Sequence, residues 1–215
     1  MQFKQLQKRI NDLHRLHGHS SLMPIGGAGC IKNPKAMFVF MNPTGRNVSS
    51  SCGWQGLRAP WIGTKNVWKI FYELDLLSIK FFNQIKKIRP EEWSAEFADE
   101  VYSDICKNNI YITNLAKCTQ VDARPLHDKV FKDYLDVMLK EIELVNPKYI
   151  FTFGNQVSSI LLGKSITVSK YKNKEKEVLQ INKKIFNVYP VYYPVGQGQR
   201  NMPSAIERIK NIIRR

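Results

Sequence analysis

The stretch "AMFVFMNPTGRNVSS" (residues 36–50) joins an apolar run to ten residues that include Asn, Pro, Gly, Arg and Ser. Five apolar residues ahead of turn formers read as a buried strand. The strand opens into a long loop that carries Trp54 and Trp61 before any helical pattern begins. A loop of that length and chemistry at a strand's C-terminal end reads as a seat for a ligand, with a plain connection as the alternative.

Working outward, β-branched and aromatic runs predict strands over 36–41, 110–115, 149–153 and 188–193. Between them the apolar spacing is helical. Val67, Phe71 and Leu74 follow a candidate Thr64 cap, Phe131, Leu135, Met138, Ile142 and Val145 span four turns, and Ile206, Ile209 and Ile213 line a closing helix. Strands separated by helices of this length predict an α/β fold, a three-layer α/β/α sandwich around a short, mainly parallel four-stranded sheet. Ligands of such sheets bind beyond the carboxyl ends of the strands. Residues 165–184, with "KNKEK" between two short β-prone runs, read as a hairpin or basic flap before the last strand, or as a solvated loop. No repeat, low-complexity tract or composition break divides the chain, so one domain over 1–215 is expected.

Lysine and arginine outnumber aspartate and glutamate 33 to 18, a net charge of +15 that favours a polyanionic partner, nucleic acid first. A basic surface with no such partner is the alternative. No apolar stretch reaches the roughly 20 residues of a membrane span. The N-terminal segment is polar where a secretory signal would be apolar, so a soluble, cytoplasmic protein is expected. Cys30, Cys52, Cys106 and Cys118 form no C-x2-C pair, which argues against a zinc ribbon or a thioredoxin-type site. His14, His17 and His19 suggest a metal at first reading, but a closed structural site needs four ligands, and solvated histidines at a helix end are the preferred reading. The "GGAG" of residues 26–29 lacks the strand-before, helix-after context of a dinucleotide fingerprint and is read as a turn.

Five segments then carry a resemblance. "MFVFMNPTG", "PWIGTKNVWK", "NIYITNLAKC", "NPKYIFTFGNQVSSILLG" and "VYPVYYPVGQGQR" resemble, in order and spacing from about residue 24 to 208, the motifs of the uracil-DNA glycosylase superfamily. The resemblance implies that Asn42 holds the attacking water. An amide is no strong base, so Asn42 would orient water, which suffices if the glycosidic bond breaks first and positioning dominates. It further implies that Gly45 lets the backbone approach the base, that Trp61 stacks on it and that Asn114 reads its edge with a donor and an acceptor. Structural alternatives stand beside these roles: an Asx-turn at Asn42, a packed core tryptophan at Trp61, a turn cap at Asn114.

Two positions depart from the family pattern. Tyr193 stands where relatives supply a histidine, and its neutral phenol would donate one hydrogen bond. Of the four cysteines that hold a cluster in the iron–sulfur branch only Cys118 matches, so no [4Fe–4S] cluster is expected. Gln197, Gln199 and Arg200 fall where the superfamily inserts a wedge into the duplex, with a surface turn as the alternative. Arg46, Arg58, Lys65 and Arg200 would form the DNA-binding face.

Two function classes follow. The first is a monomeric, monofunctional DNA N-glycosylase that hydrolyses the bond to a flipped, deaminated base such as uracil in double- or single-stranded DNA. It would release the free nucleobase and use no metal or nucleotide cofactor. The second is a non-catalytic nucleic-acid or nucleobase-binding protein that retains the fold. A phosphate-handling doubly wound enzyme ranks below both, because no Gly-rich phosphate loop is present.

Overall fold

The chain opens with helix α1 (Phe3–His17), whose Leu6, Ile10 and Leu13 make one buried stripe. Ala28–Gly29 forms a two-residue strand, β1, and the apolar run becomes β2 (Ala36–Phe40), buried along its whole length. Helices α2 (Trp68–Glu73), α3 (Ile79–Lys87) and α4 (Ala95–Lys107) precede β3 (Ile110–Asn114). Helices α5 (Asp128–Asp133) and α6 (Leu135–Val145) lead to β4 (Tyr149–Phe153) and α7 (Asn155–Leu162). Strands β5 (Glu177–Ile181) and β6 (Lys184–Val191) and helix α8 (Met202–Ile213) complete the fold. This computed structural model describes residues 3–124, 126–194 and 196–213, apart from the side chain of Gln197.

The six strands lie in the order β1-β3-β2-β4-β6-β5. The four inner strands run parallel and both edges are antiparallel to their neighbours. Helices cover both faces, which is why β2, β3 and β4 are apolar without alternation. On one face Phe38, Phe40, Ile112, Phe151 and Phe153 pack with Trp68 of α2, Val101 of α4 and Ile209 of α8. On the other, Met37, Val39, Tyr111, Ile150 and Val188 meet Leu13 of α1, Met138 of α6 and Val157 of α7. Each buried phenylalanine contributes about 1.5–3 kcal/mol, so the aromatic face dominates the core.

Several boundaries differ from the sequence expectation. The sheet has six strands and not four: β1 is too short to show periodicity, and β5 belongs to the 165–184 segment read as a hairpin or flap. The "GGAG" run therefore ends in a strand, not only a turn. The hairpin does not turn on "KNKEK". It joins β5 to β6 through Asn182 and Lys183, with Asn182 at a left-handed φ of 53°, a conformation asparagine tolerates. The last strand ends at Val191, two residues short of Tyr193. The four-turn pattern from Phe131 is broken at Tyr134 into α5 and α6. Thr64 does not cap α2, which starts at Trp68; its hydroxyl donates to the Trp61 carbonyl at 2.7 Å.

The 172–176 segment is fixed by a residue that sequence patterning passed over. Arg208 of α8 is buried and donates through Nε to Pro190 O (3.0 Å), through Nη1 to Asn173 O (2.7 Å) and through Nη2 to Glu175 O (2.6 Å). Arg208→Met keeps the aliphatic packing and strips three carbonyls of a charged donor. We expect a loss of about 3 kcal/mol, or about 6–12 °C in thermal midpoint. A midpoint within about 2 °C of wild type would contradict the clamp.

Candidate active site

Parallel strands bring their C-terminal ends to one edge. There Phe40 pairs with Asn114 and Phe153 with Val191. Alternation puts Phe40, Asn114 and Phe153 on the same face of the sheet as Phe38, Ile112 and Phe151. Phe40 and Phe153 stack at 4.2 Å, and Trp61 stands edge-on to Phe40 at 4.9 Å. Tyr193 packs against the same apolar cluster, with Gly154 beside it: a Cβ on Gly154 would lie 3.4 Å from Tyr193 Cβ. The loop that begins with Asn42 runs next to residues 115–120. Leu115 N–H bonds Phe40 O (2.8 Å), Ala116 N–H bonds Met41 O (3.0 Å) and Gly45 N–H bonds Gln120 O (2.7 Å). Asn42, Trp61, Asn114 and Tyr193 therefore all sit at the strand-end edge.

Their hydrogen bonding differs from that of core residues. Asn42 is half-buried, and its Nδ2 donates to Pro43 O at 3.1 Å. Its Oδ1 accepts from no other described residue. Asn114 is only 2 % exposed, yet its side-chain amide makes no hydrogen bond to another described residue. Asn42 Oδ1 and the Asn114 amide are thus open to a ligand at this edge. Trp61 holds a left-handed φ of 70°, strained for a bulky residue. Its carbonyl is pinned by Thr64 N–H (3.0 Å), the Thr64 hydroxyl and the Trp68 indole N–H (3.2 Å), while its own buried indole N–H has no partner among the described residues. Burial pushes the Tyr193 phenol up to about 12, so it is neutral at physiological pH and offers one donor.

The remaining expected residues divide. Arg46, Gln199 and Arg200 are exposed, and Lys65 is exposed with Nζ on Lys86 O at 3.0 Å. Arg58 turns inward: its guanidinium donates to the carbonyls of Ser49, Ser51 (2.7 Å) and Trp54 (2.9 Å), so the group expected to meet a phosphate is committed to the loop's own backbone. Gly45 faces the Val121 carbonyl, 3.2 Å from where a Cβ would stand, so neighbouring backbone accounts for this glycine. Residues past the last strand are not an open hairpin. Gly196–Asn201 winds as a 3-10 turn directly into α8, and a Cβ on Gly198 would fall 2.1 Å from the Tyr193 carbonyl. The side chain of Gln197 lies outside the described residues.

The loop's main anchor was missed. Asn47 is buried, donates to Ala59 O (2.7 Å) and accepts from Ser49 N–H (3.0 Å) and the Ser49 hydroxyl (2.8 Å). The available signal was Asn-x-Ser, an Asx-turn pattern.

The three histidines go separate ways. His17 meets Asp133 Oδ2 at 2.9 Å and His19 meets the Ser21 hydroxyl at 2.8 Å. His14 is not solvated: Nε2 bonds Leu22 O at 2.7 Å, and Nδ1 accepts from Thr119 N–H at 3.4 Å. Among the described residues no three His, Cys, Asp or Glu side chains form a metal-sized group. Nor do the residues present fit an iron–sulfur cluster: burial pushes the Cys118 thiol up to about 11, and Cys52 and Cys106 are exposed.

Burial holds His14 below its ordinary 6.5, with the Leu22 bond opposing. The unfolded chain thus gains a proton at a higher pH than the folded one. Stability is complete above the ordinary value and falls as pH drops toward the depressed folded value. His14→Gln, which keeps a donor for Leu22, should lose less stability than wild type between about pH 7.5 and about pH 5 in urea titrations. Identical pH dependence in the two proteins would remove His14 from this role.

No helix among the described residues is long and apolar enough to cross a membrane. The family model of the Uracil DNA glycosylase superfamily matches residues 27–213, from Gly27 just before β1 to the end of α8. With a match over nearly its whole length, the chain belongs to the uracil-DNA glycosylase superfamily.

Proposed function

We propose that this protein, as one domain over residues 1–215, is a DNA glycosylase that removes a flipped, deaminated base such as uracil. The observation that carries the reading is the pair of unengaged asparagine groups, Asn42 Oδ1 and the Asn114 amide, beside the aromatic wall of Phe40 and Trp61. An extruded pyrimidine stacks on Trp61, which Phe40 backs from the core, and Asn114 donates to a ring carbonyl and accepts from the adjacent ring N–H. The C–N bond breaks with its electron pair leaving on the base, while the Tyr193 hydroxyl donates to the developing oxyanion. Water held by Asn42 Oδ1 adds to the cationic sugar carbon and gives up a proton, and the base is protonated and leaves as the free nucleobase. Arg46, Lys65, Gln199 and Arg200 meet the DNA around this edge, in a chain of net charge +15. The protein acts as a monomer.

A second reading is favoured by one specific feature: neither Asn42 nor Tyr193 is a carboxylate or an imidazole. On that reading the protein binds the base without cleaving. Incubating excess protein with oligonucleotides carrying uracil, hypoxanthine, xanthine or a mismatch, then cleaving abasic sites with alkali, decides between them. Strand breaks at one lesion, retained in chelator, support the glycosylase. Lesion-selective binding with no breaks supports the binder.

A further inference from the structure

Beneath the strand end that carries Asn114, a charged network crosses the apolar core. Lys117 is fully buried, and its Nζ donates to Glu141 Oε2 (2.5 Å), Thr113 Oγ1 (2.5 Å) and the main-chain carbonyl of Asn114. Glu141, also buried, accepts from the Tyr111 hydroxyl (2.8 Å) and the Thr113 hydroxyl (3.1 Å). Gly27 passes over the same carboxylate: a Cβ there would fall 2.6 Å from Glu141 Oε1 and 2.4 Å from the Tyr111 oxygen. The glycine-rich run of residues 26–29 thus closes over this network.

Such a pair is no requirement for stability. Desolvating an ammonium and a carboxylate costs about as much as their attraction returns, and packed hydrophobic residues serve as well. What a pair of apolar residues cannot do is donate to the Asn114 carbonyl. The peptide between Asn114 and Leu115 is held at both ends, its N–H by Phe40 O at 2.8 Å and its carbonyl by Lys117. The side-chain amide that this peptide carries is left open.

We propose that Lys117, oriented by Glu141, Thr113 and Tyr111, is a positioning residue that fixes the Asn114 peptide so that the free amide meets a base edge in one orientation. The proposal rests on the base-reading role assigned to Asn114 above. It places the network in discrimination between bases and not in general DNA affinity, because phosphate contacts set affinity without reading sequence.

The test uses two oligonucleotides that differ only by uracil or cytosine at one position, each on a hydrolysis-resistant sugar, because cytosine reverses the donor and acceptor that Asn114 would meet. Lys117→Met/Glu141→Gln removes both charges and keeps an acceptor for Tyr111 and Thr113; Glu141→Gln alone leaves the ammonium without its counter-ion. The folded double variant should bind the cytosine strand as wild type does, lose about tenfold or more of the uracil preference, and exchange the Leu115 amide hydrogen about tenfold faster. Glu141→Gln should fall between. Unchanged preference and unchanged Leu115 exchange in a folded double variant overturn the proposal. A wild type with no preference would remove the base-reading role of Asn114, and the Leu115 exchange would still decide whether Lys117 holds that peptide. If neither variant folds while Asn114→Ala does, the network is a folding element and the positioning role is overturned.

Discussion

Asn42→Ala is expected to slow single-turnover cleavage of a lesion-bearing oligonucleotide about 100-fold, which is about 2.7 kcal/mol of transition-state stabilisation. Among the described residues the side chain's one hydrogen bond is from Nδ2 to Pro43 O, so its removal leaves the loop bonds of Gly45, Asn47 and Arg58 in place. What disappears is the Oδ1 acceptor proposed to hold the attacking water. Because that interaction matters mainly as the sugar becomes cationic, affinity for the abasic product should be nearly unchanged. A variant that cleaves at the wild-type rate would return Asn42 to the status of a turn residue.

Gly29→Ala should destabilise the fold strongly, by about 4 kcal/mol. Gly29 has φ 110°, a conformation open in practice to glycine, and a Cβ there would lie 2.3 Å from the Ile110 carbonyl and 3.2 Å from Ile105 Cγ2. The clash is with backbone, which cannot swing away. Relief requires β1 to leave β3, and β1 lies against the strand that ends in Asn114. Gly26→Ala is the control, since its Cβ would meet only Gln7 Oε1 at 4.0 Å, and it should stay within about 0.5 kcal/mol of wild type. Urea titrations of the two variants read both values. Equal midpoints would show that β1 yields without cost.

The network around Arg58 shows how far charge alone carries an argument. Net charge of +15 reports a basic protein but does not say which cations are free. Arg58 and Arg208 each serve three backbone carbonyls, and Lys117 is sealed in the core, whereas Arg46 and Arg200 reach solvent.

By itself the sequence determined the three-layer α/β/α class and the central strands. β2, β3 and β4 are buried on both faces, so their apolar character runs unbroken through "AMFVF", "IYIT" and "YIFTF" and needs no tertiary knowledge to be seen. The stripes of α6 and α8 are legible for the same reason, because burial of one helix face is written at fixed spacing. Motif order brought Asn42, Trp61, Asn114 and Tyr193 to attention one at a time. Tertiary structure alone decided the edge strands, the inward turn of Arg58, the anchoring by Asn47 and the pairing of Lys117 with Glu141, 24 residues apart. Periodicity records which side of an element is apolar, but a polar group takes whichever donor or acceptor the folded backbone carries to within 3 Å or so. That neighbour comes from distant chain, and no local pattern encodes it.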